Sequence, residues 1–260
     1  MSDIVTVFGA PGSGQTSVAM KLAVEVYHEL RNVAICFVSM DYEVPSIGLL
    51  FPNKKTSEIA SAAELLDKTD MTTEHVLRSL VTVPNMKNFA CLGLKAGENK
   101  YSYPIPDKQK VEALFKVLQR DFNYIFVDYT PGEELSRYAL TNSDRVIRVM
   151  SPDLKSITWL TASKHICTDS DNRLLNVVNI TDKDSFLPTE EVCTHIKSVT
   201  TILPYSRSIR QQMLDGELWL RPSDKLYTKK IAVLVEKTLD PAGKGRDSRA
   251  EQINENGFAV

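Results

Sequence analysis

The sequence predicts an α/β fold: a single-domain, doubly wound, mainly parallel sheet with helices on both faces. Short apolar runs rich in β-branched residues alternate along the chain with segments of helical periodicity, which is typical of βαβ units. The first run leads through a glycine-rich turn into a helix, as the first unit of such a sheet requires. The 260 residues, 43% of them hydrophobic, suffice to bury one large core. We therefore predict one domain over residues 1–239, followed by a polar, flexible tail over 240–260.

The individual elements follow from the same patterns. Strands are predicted at 4–8, 33–38, 89–94, 124–128, 145–150, 174–180 and 199–203. Helices are predicted at 16–31, 57–66, 73–80, 107–120, 133–140, 154–167, 188–195 and 227–239. The polar stretch 40–55 contains two prolines and one glycine, and it predicts a long functional loop after the second strand. Parallel neighbours in such a sheet are joined by right-handed crossovers.

Charge and hydropathy argue against two classes of protein, those that bind nucleic acids and those that span membranes. The chain carries 31 Lys+Arg and 33 Asp+Glu, a formal net charge of -2, without a run of like charges. Nucleic-acid binding is therefore not favoured, although a local basic patch stays open. The opening residues lack the features of a secretory leader, and no window approaches the roughly 18 apolar residues of a membrane span. We expect a cytoplasmic protein without direct membrane insertion.

The cysteines and histidines do not predict a metal centre. Cys36 and Cys91 fall in apolar runs and are expected to be buried thiols. The pairs His165/Cys167 and Cys193/His195 could be imagined as four ligands, but one-residue gaps do not match zinc spacings.

A glycine-rich loop after the first strand carries the main functional signal. The segment GAPGSGQT, residues 9–16, has the Walker A spacing of glycines and a hydroxyl residue. Glycines let the backbone curl around phosphate oxygens, and the start of the following helix favours an anion. The sequence thus predicts a P-loop NTPase type of fold, in which Thr16 holds Mg²⁺. The predicted nucleotide-binding residues of the loop are Gly9, Pro11, Gly12, Ser13, Gly14, Gln15, Thr16 and Ser17.

The lysine position of this loop is occupied by Gln15. A neutral amide cannot compensate phosphate charge as an ammonium does, so hydrolysis is expected to be slow at best. Natural degeneration and a deliberate substitution are both open explanations. Lys21 is expected to face away from the loop, whereas Arg207 and Arg210 are candidates for supplying positive charge.

A second motif lies in IFVDYTPG, residues 125–132, an apolar strand that ends in an acid. Asp128 is predicted to orient Mg²⁺ through water, and Gly132 to let the next loop sense a γ-phosphate. An acid at this place could also merely cap the following turn.

Together these motifs resemble the MinD/ParA/TadZ group of deviant Walker ATPases over nearly all of residues 1–239. The resemblance implies ATP or ADP and Mg²⁺ as cofactors. It implies that Asp41 positions the attacking water, so Asp41 and Gln15 are the predicted catalytic positions. Asn179 would contact the base and Pro204 would flank adenine. The signature lysine of the group is replaced by Ala10, which puts hydrolysis and an ATP-sandwich dimer in doubt.

The resemblance favours an ATP-binding switch protein that acts in spatial localisation or assembly, of pilus, secretion, conjugation or partition type, in a bacterial cytoplasm. A protein partner would recruit it to a pole or an envelope machine. The resemblance also allows a homodimer. The alternative is a nucleotide-free scaffold for protein contacts. A small-molecule kinase is less favoured, because no arginine-rich lid is evident.

Overall fold

The computed structural model describes residues 2–52, 59–102, 106–184 and 187–239. The strands are β1 (Asp3–Gly9), β2 (Ile35–Ser39), β3 (Val81–Thr82), β4 (Phe89–Gly93), β5 (Tyr124–Asp128), β6 (Arg145–Met150), β7 (Leu174–Asn179) and β8 (Thr201–Leu203). The helices are α1 (Gln15–Glu29), α2 (Ser46–Leu50), α3 (Ala62–Asp67), α4 (Thr73–Arg78), α5 (Lys108–Asp121), α6 (Glu134–Asn142), α7 (Leu154–Ala162), α8 (Thr189–Thr194), α9 (Arg207–Asp215) and α10 (Lys225–Leu239).

The strands form one sheet in the order β3-β4-β2-β5-β1-β6-β7-β8. All neighbours are parallel except β3, which pairs antiparallel with β4 at the edge. The central strands are buried along almost their whole length, as expected when helices cover both faces of a sheet. The predicted mainly parallel α/β sheet is confirmed.

Alternating side chains divide the core into layers on the two faces of the sheet. On β2, Ile35 and Phe37 join the cluster that contains the apolar residues of α1 and α10. Cys36 and Val38 join the cluster on the opposite face, which contains the apolar residues of α5. Both Cys36 and Cys91 are buried thiols, as the sequence predicted.

Two local predictions need correction. The predicted loop 40–55 contains the short helix α2, because Ile47 is fully buried and anchors a single turn. The predicted helix 154–167 stops at Ala162, and the chain continues through a turn in which the Ile166 amide donates to Ser163 O. Ile166 and Cys167 still pack against the sheet, which explains why their apolar character resembled a longer helix.

Besides α2, two further elements were not predicted, the edge strand β3 and helix α9. Helix α9 is mostly polar, but its ends carry clear signals. Ser206 caps the Ile209 amide, and Gly216 ends the helix in a left-handed conformation with φ 68°.

Parts of some predictions lie outside the described residues. The predicted tail 240–260 is among them, as are residues 57 and 58 of the predicted helix 57–66, which is observed as Ala62–Asp67. Within the described ranges, none of the helices combines the length and apolar character that crossing a bilayer requires.

Candidate functional site

The candidate site lies at one edge of the sheet, where the carboxyl ends of the central parallel strands meet. Strand β1 ends at Gly9, β2 at Ser39, β5 at Asp128 and β7 at Asn179. In the pairing register Asp128 is opposite both Val7 and Ser39. Open α/β sheets bind ligands at this edge, because the loops that follow the strands open a crevice there.

The glycine-rich loop has the backbone of a phosphate cradle. Gly12 and Gly14 adopt left-handed conformations, with φ 84° and 77°, which favour glycine. Helix α1 follows at once, and its first hydrogen bond runs from the Val18 amide to Gly14 O. No side chain caps this end of α1, so the amides of its first turn point to where an anion would bind.

Asp128, at the end of β5, accepts most of the side-chain hydrogen bonds next to this loop. It is only 4% exposed. Its Oδ2 accepts hydrogen bonds from the hydroxyls of Thr16 at 2.8 Å and Ser39 at 3.3 Å. A hydroxyl and a carboxylate in contact are oxygen ligands of the kind that Mg²⁺ prefers. The structure thus brings together the two residues that the sequence predicted to hold Mg²⁺.

Gln15 is turned toward Asp128. Its Nε2 donates to Asp128 Oδ1 at 2.6 Å and to Tyr129 O at 2.8 Å. Ala10, at the position of the second missing lysine, is 2% exposed, and its amide donates to Val149 O. Both lysine positions therefore hold neutral side chains. One of these, Gln15, is held by Asp128 and Tyr129 at the end of β5.

Burial raises the pKa of Asp128 to about 6. The hydrogen bonds from Thr16, Gln15 and Ser39 oppose this shift, and the charge of Asp41 adds to it. An uncompensated carboxylate in a buried position is a feature of functional sites, since a bound cation would remove the penalty.

Asp128→Asn is expected to stabilise the ligand-free chain above pH 6. The folded pKa of about 6 exceeds the ordinary value of 3.8, so the folded state binds more protons and its stability falls as pH rises from about 4 to 6. Two pKa units correspond to about 3 kcal/mol, and some of this should be recovered in the neutral variant. The check is urea unfolding of both proteins at pH 4 and 8. An equal or larger gain at pH 4 would contradict the assignment.

Asp41 lies near Asp128 but is bound within its own turn. Its Oδ1 accepts from the amides of Glu43 at 2.8 Å and Val44 at 3.0 Å, which is an Asx-type turn. Burial raises the pKa of Glu133, and the charge of Asp41 adds to this shift. The sequence did not point to Glu133 as a residue of the site. Among the residues that the structure describes, no three His, Cys, Asp or Glu side chains are grouped closely enough to hold a metal ion.

Asn179 contacts the phosphate loop directly. It is buried at the end of β7, and its Nδ2 donates to Ser13 O at 2.8 Å. A Cβ on Gly14 would lie 2.6 Å from this nitrogen, so glycine is needed for the close approach. Asn179 therefore positions the loop through the Ser13 carbonyl. Pro204 follows β8 next to this strand and is half-buried.

The basic residues named from the sequence are distributed differently. Arg207 and Arg210 are exposed on α9, and a hydrogen bond to Tyr205 raises the pKa of Arg210. Lys21 is fully buried and bonds the segment that follows α9, so it is directed away from the phosphate loop as expected. Burial lowers its pKa to about 7, against the effect of Glu25.

Gly132 lies in the loop between β5 and α6, with φ 86° and open space where a Cβ would be. The start of the loop is fixed, since the Tyr129 amide donates to Val7 O and the Thr130 amide to Ser136 Oγ. Gly132 follows these two anchored residues and precedes the first residue of α6.

The described residues fit a Mg²⁺–nucleotide in part. Uncapped amides, left-handed glycines and the Thr16–Asp128 pair supply phosphate donors and metal ligands. Ser13 Oγ is buried without a hydrogen-bond partner, an orphaned polar atom inside the loop. The missing element is the ammonium, because Gln15 is neutral.

No family model matches the chain. One curated relative, the septum site-determining protein MinD of Helicobacter pylori, is 24% identical over 160 residues, which cover 60% of this chain and 56% of that protein. The match thus spans little more than half the length of that relative.

The solved structures cover more of the chain. The Pyrococcus furiosus cell division ATPase MinD matches with a TM-score of 0.70 and 19% identity, over 93% of this chain and 100% of that one. A ParA family ATPase from Chlorobium tepidum matches with a TM-score of 0.72 and 15% identity, over 91% of this chain and 99% of that one. MinD from Pyrococcus horikoshii, solved with Mg-ADP, matches with a TM-score of 0.69 and 18% identity, over 94% of this chain and 98% of that one. The chain therefore shares the fold of these MinD and ParA family ATPases.

Proposed function

We propose that this chain is an ATP-binding switch that acts in spatial localisation or assembly. The observation that supports it best is the uncapped start of α1, whose second residue, Thr16, contacts Asp128. The fold relative from Pyrococcus horikoshii was solved with Mg-ADP, which makes the same ligand class reasonable here.

The residues would divide the work as follows. Amides of the first turn of α1 and of the loop at Gly12 and Gly14 would donate to the phosphate oxygens. Thr16 and Asp128 would hold Mg²⁺, which supplies charge neutralisation between the phosphates. Asn179 would keep the loop in place through Ser13 and, with Pro204, border the base.

Hydrolysis would be weak or lacking. The positions of both lysines are neutral, so the charge that develops during phosphoryl transfer lacks the stabilisation that an ammonium supplies. Asp41, the proposed water-positioning residue, has one oxygen committed to two backbone amides. The output of the switch would be a change of partner binding, with Gly132 in the responding loop and a protein partner or a second copy of the chain as the recipient.

The switch is tested by light scattering of the full chain with ATP and Mg²⁺, with ADP and Mg²⁺, and without nucleotide. We expect the ATP sample to differ in mass or in hydrodynamic radius from the other two. The matched control is Thr16→Val, which keeps the size of the side chain but removes the hydroxyl. A parent chain that stays unchanged by ATP would count against a switch.

A nucleotide-free scaffold is the second candidate, and one observation favours it. Gln15, Thr16 and Ser39 donate hydrogen bonds to the two carboxylate oxygens of Asp128, so protein groups occupy this acid. A scaffold predicts no thermal shift with any nucleotide, whereas a ligand that binds the folded state must raise the apparent stability. In either case we propose a cytoplasmic protein that reaches a pole or an envelope machine through a partner.

A further inference from the structure

Helix α1 carries a buried polar stripe that begins at Ser17, one of the predicted nucleotide-binding residues, and continues away from the phosphate loop. Ser17, Lys21 and Glu25 are spaced four residues apart on one face and are at most 6% exposed. All three contact the same segment, residues 212–221. Ser17 Oγ donates to Met213 Sδ at 3.1 Å, and Arg221 forms a bidentate pair with Glu25.

Lys21 is the centre of this stripe. Its Nζ donates to Gln212 Oε1, to Leu218 O at 2.6 Å and to Leu220 O at 2.6 Å. Three acceptors match the three donors of an ammonium. Gln212 in turn donates to Arg221 O at 3.0 Å, so the segment is fixed to α1 at both ends. The end of α9 is thereby held in one conformation on the helix that follows the phosphate loop.

The outer face of α9 combines cations with apolar side chains. Arg207, Arg210 and Leu214 recur at helical spacing on this face, and Leu214 is 76% exposed. Met213 beside them is 54% exposed although its sulfur contacts α1. Exposed apolar side chains next to guanidinium groups mark interaction surfaces, and arginine is favoured there.

We propose that this face of α9, defined by Arg207, Arg210, Met213 and Leu214, docks an acidic, amphipathic segment of a partner protein. Carboxylates of the partner would pair with the two guanidinium groups, and its apolar side chains would cover Leu214 and Met213. Since the segment is already fixed on α1, it would lose little conformational freedom when a partner binds. The proposal goes beyond nucleotide binding and does not depend on it.

The charges on and next to α9 favour a protein as the binding partner over DNA or an anionic membrane. Asp215 ends the same helix and Glu217 follows its C-cap, and both would repel DNA phosphates or anionic lipid headgroups. Asp215 is held in place by two hydrogen bonds from Gln211. A peptide can carry its carboxylates next to the two arginines and leave them out next to Asp215. A uniformly charged surface would place negative charge at both ends of the helix.

The test uses fluorescence anisotropy of a designed helical peptide with glutamate and leucine on one face, titrated with the full chain. We expect binding that weakens with salt, weakens five-fold or more in Arg207→Gln/Arg210→Gln, and weakens similarly in Leu214→Ser. The control Arg78→Gln changes an exposed arginine on α4, on the other face of the sheet, and should bind like the parent.

Unchanged melting temperatures in all variants would verify that the fold is retained. Phosphatidylserine vesicles and a DNA duplex are titrated in parallel. The proposal is overturned if the peptide does not bind, if the α9 variants bind it as the parent does, or if vesicles or DNA bind and the peptide does not.

Discussion

Gln15→Lys is expected to raise the affinity of the chain for ATP with Mg²⁺ ten-fold or more. The amide of Gln15 donates to Asp128 Oδ1 and Tyr129 O, so position 15 offers no ammonium to the phosphates. A lysine would reach the same region and form charge-assisted hydrogen bonds, each worth about 1.5–3 kcal/mol. A gain of ten-fold needs about 1.4 kcal/mol, which a single such bond supplies. Isothermal titration calorimetry of both proteins measures the difference.

Gln15→Met separates two causes of such a gain. Methionine removes the hydrogen bonds to Asp128 without adding charge. If charge compensation is the cause, the methionine variant binds no better than the parent. An equal gain in both variants would show instead that release of Asp128 is what matters, and a lysine variant without any gain would refute the role assigned to position 15.

Lys21→Met is expected to lower the free energy of unfolding by about 3 kcal/mol. The substitution keeps an unbranched side chain, one atom shorter, but leaves Gln212 Oε1, Leu218 O and Leu220 O without their donor. A buried acceptor that loses its partner costs about 1–3 kcal/mol, and relaxation of the segment recovers a part of the sum. For a chain of this size about 3 kcal/mol lowers the melting temperature by roughly 6–12 °C.

The control for this variant is Lys229→Met, which changes an exposed lysine on α10 and should alter stability by less than about 0.5 kcal/mol. Denaturant unfolding of the two variants and the parent measures the effect. Equal stability of Lys21→Met and the parent would mean that the ammonium does not hold the segment 212–221 on α1.

The fold was largely readable from the sequence because buried strands and amphipathic helices have distinct periods. The turn at Gly14 was equally readable, since only glycine suits its left-handed conformation and the contact with Asn179. What the sequence could not show is which side chains meet. The bonds of Gln15 to Asp128 and of Asn179 to Ser13 join residues more than a hundred positions apart.

The role of Lys21 was missed for a different reason. A lysine on an amphipathic helix is ordinarily placed at the surface, because burying an ammonium is costly. The signal that could have revealed it is the four-residue spacing with Ser17 and Glu25, which puts three polar groups on one helix face. Helix α9 was missed because its composition is polar, although Ser206 and Gly216 mark its ends.

The central claim, that the loop 9–17 binds a nucleotide, is tested most directly by calorimetric titration of ATP with Mg²⁺ into the full chain and into Gly14→Asp. A side chain at Gly14 would collide with Asn179, and the added carboxylate would repel phosphate at the start of α1. The account predicts saturable binding by the parent and none by a Gly14→Asp variant whose circular dichroism shows an intact fold. No binding by the parent, or equal binding by both, would contradict it.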